Sequence, residues 1–333
     1  MQKGTNFIVP RISILIPVFN GMPFLCEAIK SVISQNFSEW EMLIGDNGSN
    51  DGTVEYLDGL KDIRIRLFKH PKNLGIYGNL NFLIENANCP IAQILCADDM
   101  LLPNSLAKIV NFMEVNSNCA LSRCLDHDEW SKRLAVGRRD QLEGGLPTDL
   151  KPESAILAFA TFGNIVGSLS KAAFRPSAVI EVGKFNTNFP YAGDWEGWIR
   201  VASRFGINLN NEELVYCRIH PNQNTFLLNR NNELYPQINK ILYKLVELTS
   251  NEDHKLLIKQ WRTNFMLPRV SRFLKLFLTF NFKLNTNPLR QLPLGISIYS
   301  ILFEYGIWKC RLPRSKKNGE KLLIRIQEIN KKY

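Results

Sequence analysis

Over its first 125 residues the chain alternates five strand-like runs with four helix-like ones, and this order restricts the possible folds more than any other feature. "RISILIPV" is a short β-branched run of the kind that suits a buried parallel strand. "PFLCEAIKSVISQ" then places Phe24, Leu25, Ala28, Ile29, Val32 and Ile33 at helical spacing. "WEMLIG", "IRIRLFKH", "IAQILCA" and "CALSRCL" read as further strands. "TVEYLDGL", "GIYGNLNFLIENA" and "NSLAKIVNFMEVN" read as helices, the last with Asn104 as its cap. Strand–helix alternation of this kind predicts an α/β fold with a mainly parallel sheet flanked by helices.

Open parallel sheets bind ligands outside the carboxyl ends of their strands, and the polar clusters fall at those ends. "PVFNG" follows the first strand, "DNGSNDGT" the second, and "ADD" the "IAQIL" strand. Adjacent carboxylates repel, and burial raises the cost of both. Asp98 and Asp99 are therefore either a turn leading to Pro103 or the oxygen ligands of a divalent cation, which relieves the repulsion. Asp46, in a turn containing Gly48, is either a plain turn residue or a contact to a base or ribose. "DWEGWIRVASRF" predicts a helix with Asp194 at the cap position, beside Glu196, where a carboxylate serves as a simple cap or as a general base. His220 follows a strand and is a surface histidine, a metal ligand or a phosphate contact.

Taken together, these blocks resemble the family 2 glycosyltransferases of GT-A fold. "ISILIPVFNGMPFLCEAIKSVISQNFSEWEMLIGDNGSNDGT" is similar to that family's opening pattern, "KNLGIYGNLNFLIENA" to its next block, and "ILCADDMLLP" to its DXD-type motif. "YAGDWEGWIRVA" is similar to the acidic catalytic block and "VYCRIHPNQNT" to the segment after it, so the resemblance runs from about Arg11 to Thr225. It implies an inverting transferase that uses Mg²⁺ or Mn²⁺ to move a sugar from a nucleotide-sugar to a glycan or lipid-linked acceptor, in assembly of a bacterial surface polysaccharide. Position by position, the implied donor contacts are Pro17, Phe19, Asn20, Asp46, Gly48, Ser49, Asn73, Gly75, Asn79 and Asp98. Asp99 matches the carboxylate that most directly holds the metal, His220 a histidine that completes its site, and Asp194 the base that deprotonates the acceptor. Trp195, Glu196 and Trp198 are weaker acceptor or sugar contacts, and core packing is an equal reading for one of the two tryptophans.

Several positions depart from the family pattern. Ala97 replaces the first DXD-type aspartate, Asp46-Asn47 replaces a pair of aspartates, and Gly193 replaces a glutamate before the base. Asn79-Leu80-Asn81 replaces a tripeptide whose arginine lies near the phosphates. A catalytically inactive sugar-nucleotide-binding protein of the same fold is the alternative these departures leave open. A nucleotidyltransferase is disfavoured because "PVFNGMPF" is not a Gly-rich basic phosphate loop. A dinucleotide-dependent oxidoreductase is disfavoured because no G-x-G-x-x-G follows a strand.

Charge divides the chain unevenly. Residues 1–254 hold 24 Lys and Arg against 28 Asp and Glu, whereas residues 255–333 hold 17 against 3. The expected division is a catalytic domain over 1–228, with a nucleotide-sugar half (1–125) and an acceptor half (126–228), and a helical basic region over 229–333. "RVSRFLKLFLTFNFKLN" interleaves cations with Phe and Leu, and the uncharged run from Gln291 to Phe303 is too short to span a bilayer. This region either lies on an anionic membrane surface or packs its apolar side on the catalytic domain. Nucleic acid is not an expected partner, since no recognised binding module accompanies the charge. Seven scattered cysteines without a C-x-x-C pair fit a reducing compartment. With an N-terminus that reads as a first strand, the expected location is cytoplasmic, including the inner face of the plasma membrane.

Overall fold

The computed structural model describes residues 9–127, 145–220, 223, 234–250, 253–254, 256–257 and 313–332. In chain order the elements are β1 (Ile12–Val18), α1 (Leu25–Ile33), β2 (Trp40–Asp46), α2 (Thr53–Asp58), β3 (Ile65–Lys69), α3 (Gly75–Asn86) and β4 (Ile91–Ile94). Then come β5 (Met100–Leu101), α4 (Ser105–Val115), β6 (Leu121–Asp126), β7 (Asp149–Leu150) and α5 (Pro152–Phe162). A 3₁₀ turn at Leu169–Lys171 leads into β8 (Ala172–Phe174), followed by α6 (Pro176–Glu181), α7 (Gly193–Phe205), β9 (Ile207–Tyr216), α8 (Leu234–Leu248) and α9 (Pro313–Asn330).

β1 and β2 are buried at every position, as central strands covered on both faces must be. β1 lies between β2 and β4, β3 flanks β2, and all three pairings are parallel. α1 buries Leu25, Ala28, Ile29 and Val32, the face its spacing predicts. Full burial of side chains this size contributes about 1.5–3 kcal/mol for each of the larger ones, so α1 is fixed mainly by packing. Asn104 stands at the N-cap of α4 but makes no side-chain cap bond; its oxygen accepts from Asn36 instead.

The nine strands run β3-β2-β1-β4-β8-β6-β9-β5, with β7 paired to β9. The expected parallel arrangement holds for β3-β2-β1-β4, while the sheet as a whole is mixed. β8 enters from the 3₁₀ turn rather than from a crossover helix, and so runs antiparallel to both β4 and β6. β5 and β7 are also antiparallel to β9.

The chain forms two compact units. One comprises Met1–Leu134, Thr148–Pro152 and Val166–His220, and the other Ala135–Pro147, Glu153–Ile165 and Pro221–Tyr333. α5, read from sequence as part of the catalytic half, therefore belongs almost wholly to the second unit. It is buried at Ser154, Ala155 and Leu157 through Phe162, and a helix apolar on most sides needs cover on most sides. In this unit Ser154 Oγ donates to Asn330 Oδ1 at 3.0 Å, Gln327 Nε2 donates to the Gly145 carbonyl at 2.9 Å, and α9 buries Leu322, Ile326 and Ile329. The basic segment 269–285 and the apolar run 291–303 lie outside the described residues. Among the described residues no helix is long and apolar enough to cross a membrane.

Candidate active site

The carboxyl ends of β1 and β2 are stitched together by the residues the turn motifs single out. Pro17 is buried opposite Gly45 in the sheet, and the next-but-one residue, Phe19, is 51% exposed, an unusual place for a phenylalanine. Asn20 adopts a left-handed conformation (φ 53°), which asparagine tolerates better than most residues. Its N–H donates to Ser49 Oγ at 2.8 Å, and its Oδ1 accepts from the Asn50 N–H at 2.9 Å. Asp46 is buried, and its carboxylate accepts from the N–H groups of Gly48 and Ser49. Gly48 has φ +79°, the backbone state this turn requires and a side chain would strain.

The next block is wired differently from its sequence expectation. Asn73 Oδ1 accepts from the Gly75 N–H at 2.8 Å, and Asn47 bonds the backbone of both Leu74 and Gly75. Asn47, which stands where a second aspartate is expected, thus anchors the start of α3 to the end of β2. Asn79, expected as a donor contact, is turned into the protein. It is fully buried, donates to the Gly45 carbonyl at 2.6 Å and faces His70 Nε2 at 3.1 Å, so both ends of its amide are engaged within the protein.

Past β4 the chain turns through Cys96, Ala97, Asp98 and Asp99. Asp98 is the more open carboxylate; its side chain is 24% exposed and its Oδ2 lies 3.1 Å from His220 Nε2. Asp99 is buried, and both its oxygens already accept hydrogen bonds, from Ser170 Oγ at 2.6 Å and from the Arg218 N–H at 2.9 Å. Burial, and next the charge of Asp98, push the Asp99 carboxyl up to about 7. Ligand atoms of Cys96, Asp98 and Asp99 lie within 4.8 Å of one another. Burial, then the charges of Asp99 and Asp98, hold the Cys96 thiol well above its ordinary value, so it stays protonated and is a poor ligand beside two carboxylates. The donor set that remains is oxygen-rich with one imidazole, and the like charges are costly without a cation. That chemistry fits Mg²⁺ or Mn²⁺ held by Asp98, Asp99 and His220.

Asp194 is not the N-cap. α7 begins at Gly193 with Ala192 as cap, so Asp194 sits in the first turn, a favourable place for an ionised carboxylate. The Tyr77 hydroxyl donates to Asp194 Oδ1 at 3.2 Å. Tyr77 is buried, and its ring stacks on Phe185 with centroids 5.7 Å apart. The glycine that replaces the expected glutamate has a steric reason: a Cβ at position 193 would lie 2.6 Å from Tyr77 Cε2. Tyr77 is the third residue of α3, whose start Asn47 fixes to the end of β2. The contact therefore ties Asp194 to the same carboxyl edge of the sheet that bears the acid loop.

Two of the weaker acceptor candidates belong to packing. Trp198 is fully buried against Phe174 and Phe185, so no sugar can stack on it. Glu196 is buried and pairs with Arg200, whose guanidinium also grips the carbonyls of Val182 and Lys184. Trp195, at 5% exposure, offers little ring surface. Sequence reading missed Tyr77 and Arg218, the latter bonded to both aspartates of the acid loop. A cavity of about 10 Å³, lined in part by Gln93, Ser122, Lys171 and Asn210, has room for no more than a water and is no donor site.

A family model described as glycosyl transferase family 2 matches residues 13–172. An uncharacterized glycosyltransferase of Haemophilus influenzae is 26% identical over 227 residues, covering 66% of this chain and 69% of its own length. One from Rickettsia felis is 25% identical over 241 residues, but this chain spans only 38% of it. Among solved structures, Staphylococcus aureus TarS 1–349 in complex with UDP has a TM-score of 0.54 at 12% identity, over 96% of this chain and 91% of that one. The mannosyltransferase PcManGT from Pyrobaculum calidifontis, in complex with GDP-Man and Mn²⁺, has a TM-score of 0.58 at 15% identity, over 96% and 85%. At such identities the two structures share the fold with this chain.

Proposed function

We propose that this chain is a glycosyltransferase of family 2, whose model matches residues 13–172, and that it moves a sugar from a nucleotide-sugar to a hydroxyl of a glycan or lipid-linked acceptor, with inversion, in cell-surface polysaccharide assembly. The observation that carries the reading is the acid loop after β4, where Asp98 meets His220 and Asp99 is buried beside it. UDP and GDP-Man in the two structural relatives support a nucleotide-sugar as donor.

In this reading exposed Phe19 and the Asp46 turn receive the nucleoside, and the acid loop faces the diphosphate. Mg²⁺ or Mn²⁺ bound by Asp98, Asp99 and His220 would supply positive charge against the departing diphosphate. Asp194 takes the proton of the acceptor hydroxyl as that oxygen attacks the anomeric carbon from the face opposite the leaving group. One in-line displacement inverts the configuration. The Tyr77 hydroxyl donates to one carboxylate oxygen of Asp194 and orients it for that step. The cation-rich stretch from Lys255 onward supports an acceptor carried on an anionic membrane surface.

The test is a panel of nucleotide-sugars with Mn²⁺ and with Mg²⁺, read as released nucleoside diphosphate. Asp99→Asn is expected to weaken donor and metal binding together. Asp194→Asn is expected to bind donor normally and lose transfer. Normal turnover by Asp194→Asn would remove that residue as the base, and donor binding without turnover by the wild-type chain would identify the inactive alternative.

A further inference from the structure

We propose that Asn81 is a positioning residue for Asp194, acting at a distance through Phe185 and Tyr77. The proposal rests on the reading of Asp194 as the base and deepens it. Asn81 lies one turn beyond Tyr77 on α3. Its amide is spent on the segment between α6 and α7: Nδ2 donates to the Phe185 carbonyl at 2.8 Å, and Oδ1 accepts from the Phe185 N–H at 2.9 Å. Two opposed bonds from one planar amide fix both the place and the tilt of what they hold. One turn further on, Glu85 pairs with Lys184 and ties the same segment to α3 again. From the other side Arg200 of α7 grips the carbonyls of Val182 and Lys184. Residues 182–185 are therefore a brace between α3, which carries Tyr77, and α7, which carries Asp194.

The Phe185 ring carries that constraint to the base. It stacks on Tyr77 with centroids 5.7 Å apart and meets Trp198 edge-on at 4.9 Å. Both stacked rings sit in notches that only glycine leaves on α7. A Cβ at position 197 would lie 2.5 Å from Phe185 Cδ1, and one at position 193 would lie 2.6 Å from Tyr77 Cε2. Gly193 and Gly197 are one helical turn apart, with Asp194 beside the first. Packing this close leaves no slack, so a shift of Phe185 moves the Tyr77 ring. The hydroxyl that donates to Asp194 Oδ1 at 3.2 Å moves with it. The two asparagines of Asn79-Leu80-Asn81 thus have separate tasks: Asn79 fastens α3 to the Gly45 carbonyl of β2, and Asn81 fastens it to the brace.

The test is initial-rate release of nucleoside diphosphate by the full chain from the nucleotide-sugar panel with Mn²⁺, with calorimetric titration of UDP and GDP alongside. Asn81→Ala is expected to lower kcat about 10- to 100-fold, the scale of a base displaced by a fraction of an ångström to one ångström, at unchanged donor KM and nucleotide affinity. Asn81→Asp keeps the acceptor for the Phe185 N–H and should fall between. In a Tyr77→Phe background, where the hydroxyl is already gone, Asn81→Ala should cost less than about twofold more. Gly197→Ala displaces the Phe185 ring without deleting a hydrogen bond and should reproduce the loss, which keeps the test sound if Asn81→Ala melts early. The proposal fails if either folded variant keeps the wild-type kcat, or if kcat and nucleotide affinity fall together. It also fails if the full loss from Asn81→Ala persists beside Tyr77→Phe. If the wild type releases diphosphate from no member of the panel, the transferase reading fails and takes this proposal with it.

Discussion

Tyr77→Phe isolates one hydrogen bond. The substitution keeps the ring, its stacking on Phe185 at 5.7 Å and its fit over Gly193, and deletes only the hydroxyl that donates to Asp194 Oδ1 at 3.2 Å. A hydrogen bond to a charged group contributes about 1.5–3 kcal/mol. At about 1.4 kcal/mol per decade of rate, its loss from the base predicts a fall in kcat of about 10- to 100-fold. Asp194 is half-buried, so water can replace the donor but cannot fix the carboxylate's orientation. Stability should fall by less than the bond's full contribution, because water reaches Asp194 and replaces the donor, so Tm should move by only a few degrees. The assay is initial-rate release of nucleoside diphosphate at saturating donor, with donor KM and a thermal melt measured alongside. The signature of a positioning role is a fall in kcat with an unchanged donor KM and a near-normal melt. Unchanged kcat would refute it, and so would kcat, donor binding and melting temperature all falling together, which marks a structural residue.

Gly193→Ala reaches the same contact from the other side: its Cβ would stand 2.6 Å from Tyr77 Cε2, so the ring must move. A loss of kcat at least as large as that of Tyr77→Phe is expected, and the pair should be non-additive in the same assay. Metal affinity should depend on pH through Asp99. Burial and Asp98 raise its carboxyl to about 7, and only the ionised form holds a cation, so Mn²⁺ affinity should rise from pH 6 to 8 and then level off. In metal-free protein the sign reverses: a folded value above the unfolded one, about 4, means this group's contribution to stability declines as pH rises from 4 through 7. Melts in EDTA should show that slope, and Asp99→Asn should abolish it. At Glu41 burial favours the neutral form, but hydrogen bonds from Ser13, Asn88 and Arg66 outweigh it and lower the value. Its contribution is present above the unfolded value, about 4.3, and lost as pH falls through the folded one. Glu41→Gln should therefore flatten the acid side of a Tm-versus-pH curve.

What could be read in the sequence follows what local chemistry determines. β1 and β2 were legible because a buried parallel strand is a continuous apolar run, and α1 because its one buried face repeats at helical spacing. The acid loop stood out as paired carboxylates at a strand end, a turn or a cation site by its residues alone and a metal site only through the resemblance. The reversal of β8 was not, since three residues after a 3₁₀ turn carry no signal of direction. Asn79 is a donor contact by the resemblance, yet its amide is buried against β2, and periodicity alone cannot show which strand covers a helix. Trp198 and Glu196 misled for a related reason: α7 is buried on more of its surface than its apolar spacing implies.

Tyr77 and Arg218 were missed because each meets its partner across more than a hundred residues, 117 to Asp194 and 119 to Asp99. Both contacts do the same physical work. A carboxylate at a reactive position needs its orientation fixed without being neutralised, and a single donated hydrogen bond from a side chain or backbone N–H does this at little cost in charge. Tyr77 holds one oxygen of Asp194, while Ser170 and the Arg218 backbone each hold one oxygen of Asp99. The motif supplies the carboxylates, and distant segments of the fold supply the donors that aim them. Substitution of the side-chain donors Tyr77 and Ser170 should therefore affect catalysis and ligand affinity more than stability.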